Sequence, residues 1–309
     1  VAMIPQGSIL GPLLFLLYIN DTVNASVILF ALLFADDTSV FVSGKNLCSL
    51  IEIMNNELGK LAEWMCINKL SLNVKKTKFM LFTIRNVPIS DTLYINGETI
   101  ERVDNFKFLG VLIDAKLTWN DHVQFIKKKI SKGLGIMYKA KKVLMPSTLL
   151  TLYYSFIYPY MLYCIEVWGT ASVESLKSIY KLQKRAMRMI KSVPMRTESA
   201  PLFFSLKVLN IFKIYMFRLG MFMFKFNTDN LSSCVSNFFV KNSEICTRVT
   251  RQSDMYHVLF SRLSKVKKSV RYRGAIMWNL ICNKIDTKCS VCTYKHNLKR
   301  YLLSNDVSL

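Results

Sequence analysis

The sequence predicts an α+β fold, with short strands in the first third of the chain and helices through the rest. Three observations carry this. Apolar runs broken by turn residues fill positions 27–113, and apolar residues recur every three or four positions from Trp119 onward. The composition, 51% apolar and 12% aromatic, excludes a disordered chain. At 309 residues the chain can form more than one domain with a well-buried core. Changes of pattern place the divisions at 1–118, 119–225 and 226–309.

Pro5-Gln6-Gly7-Ser8 reads as a turn, and the apolar stretch Ile9 to Tyr18 behind it predicts a buried helix. Val27 to Phe34 and Ser39 to Val42 read as two strands joined by a tight turn that carries Asp36 and Asp37. Neighbouring side chains of a strand point to opposite faces, so two adjacent acids serve one site only where the chain turns. Two such anions repel, and a divalent cation removes the repulsion. Magnesium bound to carboxylates and phosphates is the natural partner.

Leu47, Leu50, Ile51, Met54, Leu58, Leu61, Ala62 and Met65 predict a helix over 46–68, capped by Asn46, with Glu52, Glu57 and Glu63 facing outward. Strands follow at 79–83, 92–95, 98–102 and 106–113, with Asn96-Gly97 as a hairpin turn. Beyond Thr118 the pattern turns helical. Trp119, Val123, Ile126, Ile130, Leu134 and Met137 form one stripe, and Lys127, Lys128, Lys129, Lys132, Lys139, Lys141 and Lys142 cover much of the rest. The design repeats at 173–191, where Leu176, Ile179, Gln183, Ala186 and Ile190 alternate with Lys177, Lys181, Lys184, Arg188 and Lys191. Ile211 to Phe226 reads as a core helix and 227–255, rich in Asn, Ser and Asp, as loop and weak structure. Ser261 to Leu303 is a last compact region with a basic cluster at Lys265, Lys267, Lys268, Arg271 and Arg273.

Forty-two Lys and Arg against 20 Asp and Glu give a formal charge of +22. Such a surplus suits a polyanion, whether nucleic acid or an acidic membrane surface. Leu149 to Ile165 has no charged residue, but Pro159 and its tyrosines fit a buried segment better than a membrane span. A basic membrane-surface protein using this run and Ile211 to Phe226 is a competing reading. The eight cysteines form no regular framework and no secretory signal precedes them, so they read as reduced thiols of an intracellular protein, nuclear or cytoplasmic. Cys289, Cys292, His296 and Cys282 offer zinc-type donors without the usual spacing, and zinc stays open. His122 and His257 read as structural. The chain starts at Val1, inside a motif, and reads as a fragment.

Pro5-Gln6-Gly7-Ser8-Ile9-Leu10-Gly11-Pro12, followed by Leu17-Tyr18-Ile19-Asn20-Asp21, resembles the block that precedes the catalytic hairpin in reverse transcriptases of non-LTR (LINE-type) retrotransposons. Phe34-Ala35-Asp36-Asp37 is similar to the hairpin itself. Leu72-Asn73-Val74-Lys75-Lys76-Thr77-Lys78 resembles the next block, and Phe106-Lys107-Phe108-Leu109-Gly110-Val111 the strand pair called the primer grip. Leu117-Thr118-Trp119 with His122 resembles the junction to the thumb. The segments around Tyr272-Arg273-Gly274 and Trp278-Asn279 resemble the C-terminal part of jockey-like and CR1-like elements.

The resemblance implies a partial polymerase palm to residue 118, an antiparallel sheet with packed helices, then an α-helical thumb and a basic helical tail. It implies RNA-templated addition of deoxynucleotides, from their triphosphates, to a DNA primer. Asp36 and Asp37 would hold magnesium, and Lys76 would donate a proton to pyrophosphate. Pro5, Gln6, Gly7 and Ser8 would line the nucleotide and template, and Phe108, Leu109 and Gly110 would grip the primer. Lys127, Lys128, Lys132, Lys181, Lys184 and Arg188 would hold the backbone of the duplex. Read without the resemblance, Lys76 is also a solvated lysine, 108–110 a buried edge strand, and the basic stripes solvated faces. The family's other metal-binding aspartate lies upstream of Pro5. The two-metal site, with ions roughly 3.5–4 Å apart, is therefore expected to be incomplete here. The chain alone is expected not to polymerise, and nonspecific binding of RNA or RNA–DNA duplex without catalysis is the alternative.

Overall fold

Residues 8–83, 92–245 and 251–305 are described by the computed structural model, and the chain divides into two units. The first runs to Phe106 and takes in Asp114–Leu117; the second comprises Lys107–Ile113 and everything from Thr118 on.

The first unit opens with α1 (Leu10–Ile19), apolar on every side, which runs into a 3₁₀ segment (Asn20–Ala25). Burial was the expectation for this helix, and it is not met. Leu10, Leu13, Leu14, Leu16 and Leu17 are all exposed, Leu17 at 66%, and within α1 only Ile19 is buried. Apolar periodicity identifies a helix that needs a neighbour, but α1 packs within its unit on the 3₁₀ segment, which covers only one end. Strands β1 (Phe30–Phe34) and β2 (Asp37–Phe41) pair antiparallel, Phe34 facing Asp37 and Phe30 facing Phe41.

Helix α2 (Leu47–Ile67) starts where Asn46 Oδ1 accepts the Cys48 N–H at 3.1 Å, a side-chain cap of the predicted kind. Ile51, Leu58, Leu61, Ala62 and Met65 form its buried face. Glu57 does not face outward with Glu52 and Glu63. It is 3% exposed and accepts hydrogen bonds from the Lys60 ammonium at 2.7 Å and the Ser26 hydroxyl at 2.5 Å. Those bonds, Lys60 first, hold its carboxyl below the usual range. Ser26 Oγ also accepts the Leu29 N–H at 3.0 Å, so the buried acid fixes the turn that leads into the hairpin.

Strands β3 (Lys78–Phe79), β4 (Leu93–Ile95) and β5 (Glu98–Arg102) form a sheet in the order β3-β5-β4. Asn96 and Gly97, both at positive φ, turn β4 into β5 as expected. The sheet departs from the antiparallel expectation. β3 joins on the far side of β5 and runs parallel to it, and the strand expected over 79–83 ends at Phe79. Among the described residues the strands make three small sheets. Leu93, Ile95 and Ile100 close this one against Ile51, Leu58 and Ala62 of α2.

β6 (Asn105–Phe108) and β7 (Val111–Asp114) pair as a third small sheet. In the second unit α3 (Asn120–Ala140) buries the predicted stripe of Val123, Ile126, Ile130, Leu134 and Met137. The apolar run from Leu149 is broken into α4 (Pro146–Phe156), α5 (Tyr158–Leu162) and α6 (Ile165–Trp168). No helix among the described residues is long and apolar enough to cross a membrane. α7 (Val173–Ile190) lies along α3, and α8 (Ala200–Ser205) leads to α9 (Ile211–Asn227). α9 is the hub of the unit, buried on most sides by α5, α6, α7 and the later helices. The loop and weak structure expected over 227–255 holds a 3₁₀ turn (Ser233–Val235) and the short α10 (Asn242–Ile245), and Lys241 bridges to Tyr256 just beyond it. α11 (Ser264–Lys267), α12 (Val270–Ile281) and α13 (Val291–Ser304) complete the chain. α13 approaches α9 at Gly220, where a Cβ would stand 2.8 Å from the Leu298 side chain.

Candidate functional site

Asp36 is the second residue of a two-residue hairpin loop, and Asp37 is the first residue of β2. Ala35 takes the left-handed conformation at φ 51°, which reverses the chain sharply enough to put consecutive carboxylates at one tip. Both acids are exposed. The hairpin is anchored through Val40, which packs on the α2 cluster of Ile51, Leu58 and Ala62. Leu72, Val74 and Phe79 pack on the same cluster. Between them Asn73 organises a turn: its carbonyl accepts the Lys76 and Thr77 N–H groups at 3.0 Å, and its Oδ1 accepts the Lys76 N–H at 3.2 Å. One helix therefore seats both the acidic hairpin and the turn that presents Lys76, whose side chain is exposed.

Ser8 is half-buried, and its Oγ accepts the Gly11 N–H at 3.3 Å. Pro5, Gln6 and Gly7 lie outside the described residues, as does Cys246.

Two adjacent exposed carboxylates are hard oxygen donors, and one or two carboxylates with substrate phosphates suit a magnesium ion. They are too few to bracket two ions. Among the described residues no three His, Cys, Asp or Glu side chains gather as a metal site, the Cys282, Cys289, Cys292 and His296 group included.

Phe108 is the half-buried last residue of β6, but Leu109 and Gly110 are not part of a buried edge strand. Leu109 and Gly110 have φ of 44° and 86°, and they form the turn between β6 and β7. Tyr163 holds this turn. Its hydroxyl donates to the Leu109 carbonyl at 2.6 Å, and a Cβ on Gly110 would touch its ring at 3.4 Å. Tyr163 is itself fixed by the Trp168 indole, which donates to its carbonyl at 2.7 Å. The sequence hides this role, since Tyr163 is one of several tyrosines in an apolar run.

His122 is a second hidden support. It is 2% exposed, its Nδ1 accepts the Leu112 N–H of β7 at 3.2 Å, and its ring meets Trp168 edge-on at 5.5 Å. Burial pushes its pKa down to about 4 from 6.5. The unfolded chain takes up this proton near pH 6.5 and the folded chain only near 4. Stability is therefore expected to be full above pH 6.5 and to fall as pH drops towards 4. Urea midpoints across that window check this, and His122→Gln should flatten the slope.

The basic helices α3 and α7 each carry one acid, Asp121 and Glu174, in the first turn. Lys128, Lys132 and Lys181 are exposed, while Lys127, Lys184 and Arg188 are half-buried. Lys184 lies over the Tyr180 ring at 4.3 Å, and Arg188 Nε donates to the Thr197 carbonyl at 2.9 Å, so these two also serve the fold. None of the six has a carboxylate within 4.0 Å among the described residues. Among the described residues no ion pair offsets their charge.

Residues 1–113 match the family model described as "Reverse transcriptase (RNA-dependent DNA polymerase)". The first third of the chain is a reverse transcriptase domain. The chain is 28% identical to the probable RNA-directed DNA polymerase from transposon X-element of Drosophila melanogaster, over 68% of its own length and 24% of that protein. It is 26% identical to the RNA-directed DNA polymerase from mobile element jockey of the same fly, over 83% of its length and 29% of that protein. A Pol polyprotein from the type-1 element R1 2 of Nasonia vitripennis is 28% identical over 53% of the chain and 42% of the relative. These relatives are polymerases of non-LTR retrotransposons, and the likeness continues well beyond the reverse transcriptase domain into the helical unit. The chain spans about a quarter of the length of the X-element and jockey proteins. No solved structure gives a significant match.

Proposed function

We propose that this chain supplies the acidic hairpin, the primer-grip turn and a duplex-holding helical surface of an RNA-directed DNA polymerase. Its partners would be an RNA template, a DNA primer and deoxynucleoside triphosphates. The observation that carries this reading is the pair Asp36 and Asp37 at a two-residue hairpin loop, seated on the same helix as the Lys76 turn within residues that match reverse transcriptases. Asp36 and Asp37 would hold magnesium, which when bound would neutralise the charge of the incoming triphosphate beside the primer hydroxyl. Lys76 stands as the proton donor to pyrophosphate. The β6–β7 turn, braced by Tyr163 and His122, would position the primer terminus. In this scheme residues 1–118 are palm, 119–225 thumb and 226–309 a basic tail, and α3 and α7 hold the duplex through phosphates.

A second reading is favoured by the absence of a three-ligand cluster among the described residues: binding of RNA or RNA–DNA duplex without catalysis. Both readings predict duplex binding, and we expect the 309 residues alone to bind but not to extend. About four to six phosphate contacts give a slope of log affinity on log salt near −4 to −5. Primer extension on an RNA template with magnesium should not exceed the Asp36→Ala background. Extension that Asp36→Ala abolishes would overturn the inactivity, and absence of duplex binding at low salt would overturn both readings.

A further inference from the structure

Helix α13 presents a polar stripe to which the proposed function assigns no role. Asn297, Arg300, Tyr301 and Ser304 stand at i, i+3, i+4 and i+7 and share one face. With Lys284, Ile285 and Asp286, which follow α12, they line a cleft of about 280 Å³ that is open to solvent. That volume is close to the small end of ligand sites, roughly 300 Å³, and admits one flat ring but no duplex. Tyr301 packs partly on the core and leaves the rest of its ring to the cleft, with the Lys284 ammonium 5.8 Å from its centroid. Neither Lys284 nor Arg300 has a carboxylate within 4.0 Å among the described residues. Asp286 is engaged in its own turn, where Oδ1 accepts the Lys288 N–H at 2.9 Å.

The surroundings are strongly positive. Residues 251–305 hold twelve Lys or Arg against two Asp.

We propose that the cleft is a subsite for one unpaired nucleotide of a single-stranded nucleic acid, with the base against Tyr301, its polar edge on the Asn297 amide, and the flanking phosphates on Lys284 and Arg300. Only an unstacked base can offer a free face to an aromatic ring, so the chemistry selects single strands over duplex. An acidic membrane would need apolar side chains to insert, and the one aliphatic residue lining the cleft, Ile285, is buried. The subsite does not depend on the polymerase reading, because the acidic hairpin has no part in it.

Fluorescence anisotropy on the full chain tests this with an oligouridylate octamer, an oligothymidylate octamer and an RNA–DNA duplex. Lys284→Ala with Arg300→Ala should weaken octamer binding about tenfold and leave duplex binding unchanged. Lys128→Ala with Lys132→Ala should do the reverse. Comparing the two octamers tells RNA from DNA as the source of the strand. Photocrosslinks from a 4-thiouridine octamer should map to the Tyr301 peptide, a readout that needs no substitution. Octamer affinity unmoved by the first pair, crosslinks confined to α3 and α7, or loss of flotation with phosphatidylserine vesicles in place of octamer binding would each overturn the subsite. Loss of duplex binding with octamer binding intact would sink the polymerase reading and leave the subsite standing.

Discussion

Replacing Gln183 with alanine is expected to cost the second unit roughly 3–5 kcal/mol, a large part of the roughly 5–15 kcal/mol that holds a domain together. Gln183 is fully buried on α7. Its amide nitrogen donates to the Tyr153 hydroxyl and to the Leu209 carbonyl, both at 2.8 Å, and its oxygen accepts the Ile211 N–H at 2.9 Å. Ile211 is the first residue of α9, so its N–H is one of the donors that a helix start leaves without an intrahelical partner. Asn210 caps the Lys213 N–H, and Gln183 satisfies the Ile211 N–H from a different helix. Alanine would leave a buried donor, the Ile211 N–H, and two buried acceptors, the Leu209 carbonyl and the Tyr153 hydroxyl, without Gln183 and open a cavity beside them. Gln183→Leu separates the two costs, since it fills most of the space but restores no bond. Its midpoint in urea should fall between those of alanine and the parent. A shift under about 1 kcal/mol for alanine would show that the network holds nothing together.

Gln183 also marks how far the sequence could be read. Its place on the apolar stripe of α7 was legible from spacing, as were the stripe of α3, the Asn46 cap and the Asn96-Gly97 turn, because each is set by residues within a few positions. Its partners were not legible, for they sit 26 to 30 residues away. Glu57 shows the same limit: a charge on a helix reads as solvent-facing unless Ser26, 31 residues earlier, is known to meet it. In α1 the failure runs the other way. A helix apolar all round asks for burial, yet its neighbours are a property of the fold and not of the run itself. In the candidate site, Asp36 and Asp37 were readable because adjacency and a turn suffice to bring them together. Tyr163 and His122, which steady the Leu109–Gly110 turn and β7, were not, because a hydroxyl 54 positions from its acceptor leaves no local pattern.

Asparagine at Asp36 is expected to lower primer extension by about 10²–10³-fold in a polymerase that depends on this hairpin. A suitable test is a chimera in which this whole chain, α3 and α7 included, replaces the matching segment of the jockey polymerase. The substitution keeps size and hydrogen-bonding capacity and removes only a negative charge from the loop, where Asp36 is exposed and the ladder of β1 and β2 is untouched. Folding should therefore be unaffected, which circular dichroism would confirm. Duplex affinity should also hold, since the proposed scheme assigns it to the cations of α3 and α7. The loss should fall on turnover and not on primer affinity, as expected when a charge acts on the reacting phosphates and not on docking. Asp37→Asn should follow in the same direction. A chimera that extends primers at the parental rate with asparagine at position 36 would remove the hairpin from the chemistry and leave α3 and α7 as the functional surface of the chain.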